Sequence, residues 1–309
     1  MKRHFREISV GVVLLLLLLV LAIFAPSFYQ PQPLLTLLAR EAPTLVVACG
    51  MALVIIARQI DISIGSQFAL CSIAAGLLAA AEWPIALVLP ATIGIGALLG
   101  ALNGVLVAGL GLPSIVVTLA TMVAWREIAR LWREGQFVNL PDQTQWFGLS
   151  QTSGQWALIA IGLAVLIILT IVTKHFAAGR FVYAVGSDAE AARLAGLRPR
   201  LTTFCVFIFM GALTGLAALM NVVQSPQVDP KSGTGLELKT IAAVVVGGVA
   251  ISGGRGNLWG VFAGLLLLAC ISPALTHLHV EAYWEKAIQG AIILLAVVAD
   301  GVRRKKEKV

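Results

Sequence analysis

The chain has 309 residues, of which 59% are hydrophobic and only 12% charged, with a mean hydropathy of +0.94. Soluble domains carry about 25% charged residues, so composition excludes that class. The net charge of +7 lies in separate clusters between apolar blocks (Lys2, Arg3 and Arg6; the stretch 174–200; Arg303 to Lys308), which excludes a nucleic-acid face and fits the cytoplasmic segments of a membrane protein.

The first apolar block, Ile8–Ala25, holds an unbroken Leu14–Leu19 run. It exceeds the apolar core of a signal peptide, Pro26 follows directly, and bulky Ile23 fills the minus-three position, so it reads as a retained membrane helix. Further hydrophobic segments place spans near 8–26, 42–57, 62–81, 84–110, 113–131, 155–173, 201–221, 240–252, 256–276 and 283–300. Ten spans return the C-terminus to the side of the N-terminus. They put 15 of the 22 Lys and Arg residues on cytoplasmic ends and 7 on or near the outer side. The expectation is an all-α, multi-pass membrane protein in which residues 1–309 form one transmembrane domain. Some of its helices are short or broken, and both termini are cytoplasmic.

The longest outer connections are Trp132–Gly154 and Val223–Lys239. Trp83, Trp132, Trp146, Trp156 and Trp284 fall near span ends, as interfacial aromatics do. Cys49, Cys71, Cys205 and Cys270 stand singly in apolar segments and read as small packing residues. Gly100–Gly104 (GALNG) echoes Gly211–Gly215 (GALTG), which fits either a repeat or close helix packing through small residues.

Three segments carry polar or helix-breaking residues where a plain span would not. Arg58–Ser66 (RQIDISIGS) places Asp61, Ser63 and Ser66 between two apolar runs. Two readings fit: a cytoplasmic turn with an N-cap, or a broken helix lining a polar path. Asn103, followed by Pro113 at a helix start and then Thr118 and Thr121, offers groups for a hydroxylated solute or for a neighbouring helix. Gly179–Leu197 contains a short helix with Ser187 or Asp188 as N-cap and Gly196 as its stop, set among basic residues on the cytoplasmic face.

The Gly-Arg…Ala-Val-Gly…Glu-Ala-Ala-Arg-Leu-Ala-Gly pattern of 179–196 resembles the coupling segment of monosaccharide-type ABC permeases, the ribose, xylose and arabinose importer group. Residues 53–66 are similar to that family's Ile-Asp-Leu-Ser-Val-Gly-Ser segment, and 240–260 to its Gly-Gly…Ser-Gly-Gly-x-Gly…Gly segment, in colinear order. The resemblance implies a bacterial inner-membrane permease that dimerises and works with a cytoplasmic ATPase and a periplasmic sugar-binding protein. It assigns ATPase coupling to Asp188, Glu190, Ala191, Ala192, Arg193 and Gly196, within a coupling segment of about 174–200. The polar residues read above, Asp61, Ser63, Ser66, Asn103, Thr118 and Thr121, form the expected translocation-path set. No Walker-type phosphate loop occurs, so ATP is expected on a partner and no cofactor on this chain. Where the family commonly has Gly-Gly before the Ile-Asp pair, this chain has Arg58-Gln59. The outer segment, with Asn139-Leu140-Pro141 and Gln145-Trp146-Phe147-Gly148, is similar to permeases assigned to rhamnose uptake, with autoinducer-2 permeases next.

An ion-coupled secondary transporter is the rival reading. It usually needs paired acids or a His relay at depth, whereas Asp61 is the one deep acid in this span assignment. A membrane enzyme would need a catalytic or metal set. The nearest, His277-x-His279 with Glu281, sits on a short outer loop, so neither a catalytic nor a metal site is expected.

Overall fold

The computed structural model describes residues 5–277 together with isolated helical positions at 284, 287, 288, 290, 291 and 294. Apart from those isolated positions, the expected span 283–300 lies outside the described residues, as do the C-terminal basic cluster, Lys2, Arg3, and His279 with Glu281. Twelve helices run through the described chain, with a two-residue strand pair as its only sheet.

Helix α1 (Phe5–Phe24) packs on α11 (Leu258–Ala269), and α2 (Pro31–Ile56) runs through the centre of the molecule. From Leu45 to Ile56 the α2 sequence is apolar all round, as expected for a helix enclosed by others. It contacts α6 (Gln151–His175), α9 (Pro199–Val222) and α10 (Leu236–Val246). The remaining long elements are α3 (Ile64–Ala80), α4 (Ile85–Gly104) and α5 (Ser114–Arg133). One wide turn, Val105–Gly109, extends α4 as a π-helix. Among the described residues, five helices are long and apolar enough to cross a bilayer, while Val10–Phe24 and Ile64–Ala80 are shorter apolar helices. The short helices α7 (Ala177–Ser187) and α8 (Ala189–Leu194) form the segment between α6 and α9. A seven-residue helix, α12 (Ile271–His277), follows α11.

The most extensive packing joins α4 to α9, and it explains the sequence echo. A Cβ on Gly96 or Gly100 would strike the backbone of Gly211 or Phe207, and one on Gly215 would strike the carbonyl of Thr92. The two glycine-rich segments therefore face each other across one backbone-to-backbone contact. That is the small-residue packing by which helices associate where burial from water supplies no drive.

The α10 segment departs from the sequence expectation. The stretch Val223–Lys239 is not simply an outer loop, because α10 already begins at Leu236. Residues 223–235 first pair with the other outer connection: β1 (Val138–Asn139) lies antiparallel to β2 (Gln227–Val228), with Val138 opposite Val228. The chain then descends along α3, since Val228 lies against Gly76 and Gly233 against Gly65, eleven residues lower on the same helix. With only 11 residues, α10 spans about 16 Å, half of a hydrocarbon core of about 30 Å. It is a half-helix that starts at depth.

Of the four cysteines, Cys49, Cys71 and Cys270 are buried as expected, but Cys205 is exposed on the outside of α9. The α4–α9 contact makes a direct prediction. Gly96→Leu should lower the thermal stability of the purified protein by about 1–3 kcal/mol or block its accumulation, through overpacking. Gly94→Ala, which meets open space two residues away, should stay within about 0.5 kcal/mol of the parent.

Candidate functional site

Helix α2 ends in a Schellman motif. Gln59 N–H donates to the Val54 carbonyl at 3.0 Å and Arg58 N–H to that of Ile55 at 2.9 Å. Arg58 takes the left-handed position, with φ 63°, which is why glycine is common there in the resembling family. From Gln59 to Ser63 the backbone is not helical, yet Asp61 and Ser63 are fully buried. The segment is a break between two helices that protein encloses.

Asp61 organises the break. One oxygen of its carboxylate accepts from the Ser63 backbone N–H at 2.9 Å and from the Ser63 hydroxyl, and the other accepts from Gln67 Nε2 at 3.2 Å. Ser63 Oγ also accepts from Asn103 Nδ2 and from Gln67 Nε2, both at 2.9 Å. Thr121 Oγ1 on α5 donates to Asn103 Oδ1 at 3.0 Å. The Ile60 backbone is held by α5 as well: its N–H donates to Ser114 Oγ at 3.2 Å and its carbonyl accepts from Thr118 Oγ1 at 3.3 Å. The Ser66 hydroxyl folds back on the Ser63 carbonyl at 2.8 Å. Ser63 sits at the N-cap position of α3, but its side chain makes no cap bond, because Asp61 and Asn103 engage it instead.

All six residues of the expected path set thus belong to one hydrogen-bonded joint uniting the α2–α3 break with α4 and α5. Gln67, which the sequence reading passed over, completes it and keeps one buried oxygen, Oε1, without a partner among the described residues. Its signal was its place one turn into the helix that follows a break.

Above the joint, the break meets the descending 223–235 segment at Gly65 and Gly233. A Cβ on either glycine would collide with the other's carbonyl, and one on Gly65 would also collide with Glu237 Oε2. Arg126 on α5 reaches the same spot, its Nη1 donating to the Ser232 carbonyl at 3.0 Å, while Glu237 accepts from the Gly235 N–H at 3.2 Å. A second charged pair also escaped the sequence reading. Glu41, buried at 5% exposure inside α2, accepts from Lys239 Nζ at 2.8 and 2.7 Å. Asp61 is therefore not the one deep acid. Starting the second span at 42 had left Glu41 outside it, whereas α2 begins eleven residues earlier.

At the other end of the break lies the 174–200 segment. Asp188 is the N-cap of α8, its Oδ1 accepting from Glu190 N–H at 2.9 Å and Ala191 N–H at 3.0 Å. Gly196, at φ 84°, ends that helix as expected. Glu190 and Arg193 form an exposed ion pair at 2.6 Å. The guanidinium holds the Glu190 carboxyl below its ordinary range, while Ala192 alone of the segment's proposed contacts is buried. The segment is keyed to the break itself: Gly254 N–H donates to the Ile56 carbonyl at 2.8 Å, Gly186 packs on that same carbonyl, and Tyr183 Oη donates to the Gly256 carbonyl at 2.9 Å.

Helix count and apolar character define a multi-pass membrane protein. Residues 34–297 match the model of the permease component of the branched-chain amino acid transport system, and the chain belongs to this permease family. It is 30% identical to the ribose import permease protein of Escherichia coli strain K12 over 95% of this chain and 93% of that protein. It is 34% identical to the autoinducer 2 import system permease protein of Enterobacter sp. strain 638, over 97% of this chain and 88% of that protein. The corresponding Klebsiella pneumoniae protein is 35% identical, again over 97% and 88%. No solved structure matches. The relatives are transport permeases of the monosaccharide ABC type, not enzymes, as the sequence resemblance implied.

The joint predicts a graded response. Thr121→Val removes one hydrogen bond at its edge and should cost about 1 kcal/mol. Asn103→Leu takes away the donor to Ser63 and the acceptor of Thr121 together, and should cost about 2–3 kcal/mol as buried groups lose partners. Thermal unfolding of the two variants in one detergent checks the order.

Proposed function

We propose that this chain forms the membrane-spanning path of an ATP-driven importer of a monosaccharide in the bacterial inner membrane. It works as a dimer, with ATP bound by a separate cytoplasmic ATPase and solute delivered by a periplasmic binding protein. The family match over nearly the whole chain carries this reading. Both termini face the cytoplasm across ten spans, an arrangement supported by the uneven placement of Lys and Arg. Rhamnose is the first solute to test, supported by the resemblance of Trp132–Gly154; the names of the curated relatives add ribose and autoinducer 2 to the panel.

In this reading α8, capped by Asp188 and stopped by Gly196, carries Glu190 and Arg193 to the ATPase. ATPase closure pushes it as a rigid body, and the glycine contacts at Ile56 pass the push to the break. The Asp61 joint then acts as a hinge beside the path rather than as a lining, since its members are already hydrogen-bonded to one another.

The test is uptake of labelled rhamnose, ribose and autoinducer 2 by proteoliposomes holding the permease, its ATPase and its binding protein. Accumulation should require ATP, and Glu190→Lys should abolish most of it while leaving the membrane domain folded. Gly196→Val should also impair it, at about 1 kcal/mol of local strain, because the left-handed position no longer suits the residue. Uptake by this chain alone, driven by an ion gradient and indifferent to ATP, would contradict the proposal. Normal ATP-driven uptake in both variants would remove the coupling assignment only.

A further inference from the structure

Arg58 occupies a conformation that its own side chain disfavours. It is the left-handed residue closing α2; the Schellman motifs after α8 and α10 are closed by Gly196 and Gly248, while Glu82 after α3 and Glu134 after α5 take the same position as Arg58 does. A residue with a Cβ is strained there, and such strain persists where the surroundings or a function hold it. The two Schellman hydrogen bonds hold the backbone there, and the side chain adds none of its own. The Arg58 side chain is exposed and makes no hydrogen bond or ion pair among the described residues. Its surroundings instead make room for it: its Cβ lies where a Cβ on Gly253 would come within 2.8 Å. Gly253 and Gly254 in turn lie against Gly186 and Ser187, the residues leading into Asp188 and α8. Arg58 therefore stands on the edge of the coupling segment although it is remote from it in sequence.

The surface around it is one-sided in charge. Lys174, Arg180, Arg198 and Arg200 are all exposed on the same segment. Of its acids, Glu190 is matched by Arg193, and Asp188 is committed to capping α8. A partner seated on α8 meets a segment with more exposed basic than free acidic side chains, and Arg58 borders that segment through Gly253 and Gly186. We propose that Arg58 is a docking residue for the cytoplasmic ATPase, receiving a carboxylate of that partner beside α8. The inference rests on the importer reading above. It adds the end of α2, the element directly continuous with the Asp61 break, to the surface on which the ATPase acts.

The experiment measures affinity between the full-length permease in nanodiscs of neutral phosphatidylcholine and its purified ATPase, for the wild type, R58K, R58G and R58E. R58G also corrects the backbone, so its melting temperature should equal or exceed that of the wild type. Its affinity should nonetheless fall, and that of R58E should fall by about tenfold, with R58K close to wild type. Raising salt should weaken the wild type and leave R58E nearly unchanged. Wild-type affinity in R58G and R58E overturns the inference while the importer reading stands. A charge effect that appears only when anionic lipid is added also overturns it, assigning Arg58 to headgroups. Failure of the wild type itself to bind the ATPase overturns the importer reading and this inference with it.

Discussion

Between Gln59 and Ser63 the backbone leaves helical geometry while protein surrounds it, and its polar groups must then find partners without water. The Asp61 carboxylate answers that constraint by accepting from Ser63 and Gln67, and Ser114 and Thr118 hold both sides of the Ile60 peptide. Most of the remaining architecture follows from it. α3 can start at depth because its first residues are held by α4 and α5. The 223–235 segment can descend to Gly233 because Gly65, with no side chain, lets two backbones touch. α10 can then be a half-helix whose Lys239 finds Glu41 inside the central helix.

The same break places two very different surfaces at either end of a short piece of chain. At Ile56 it is locked by glycines to the 174–200 segment, and at Gly65 it crosses the descending segment beside Arg126 and Glu237. Backbone contacts of this kind have little give, because a carbonyl against a glycine can neither rotate away nor rearrange as a side chain can. A displacement of α7 and α8 therefore has a stiff route to the middle of the molecule. The joint consists of side-chain hydrogen bonds, and Gln67 Oε1 has no partner among the described residues.

Much of this was legible in the sequence. Length and apolarity pointed to the class of fold, and the helix-breaking polar residues at Arg58–Ser66 marked an interruption between two apolar runs without saying whether it was a turn or a buried break. Asp188 and Gly196 were readable because capping chemistry is local. What stayed hidden depended on partners far along the chain. Glu41 beside Ala42 looks like the start of a span until Lys239, 198 residues later, supplies its counter-charge. The α4–α9 contact was visible only as an echo, because five small residues do not say whether they repeat or touch. The descent of 223–235 was unreadable, since a Gly- and Pro-containing polar stretch has the composition of any loop.

The central claim is that residues 60–66 form a buried, hydrogen-bonded joint rather than a cytoplasmic loop. Hydrogen–deuterium exchange of the intact protein in nanodiscs, resolved over peptides covering this segment, tests it most directly. The account predicts that the amides of Ser63, Ser66 and Gln67 exchange as slowly as those of the flanking helices, while the exposed Gly196–Arg198 turn exchanges quickly. Equally fast exchange in both segments would contradict it.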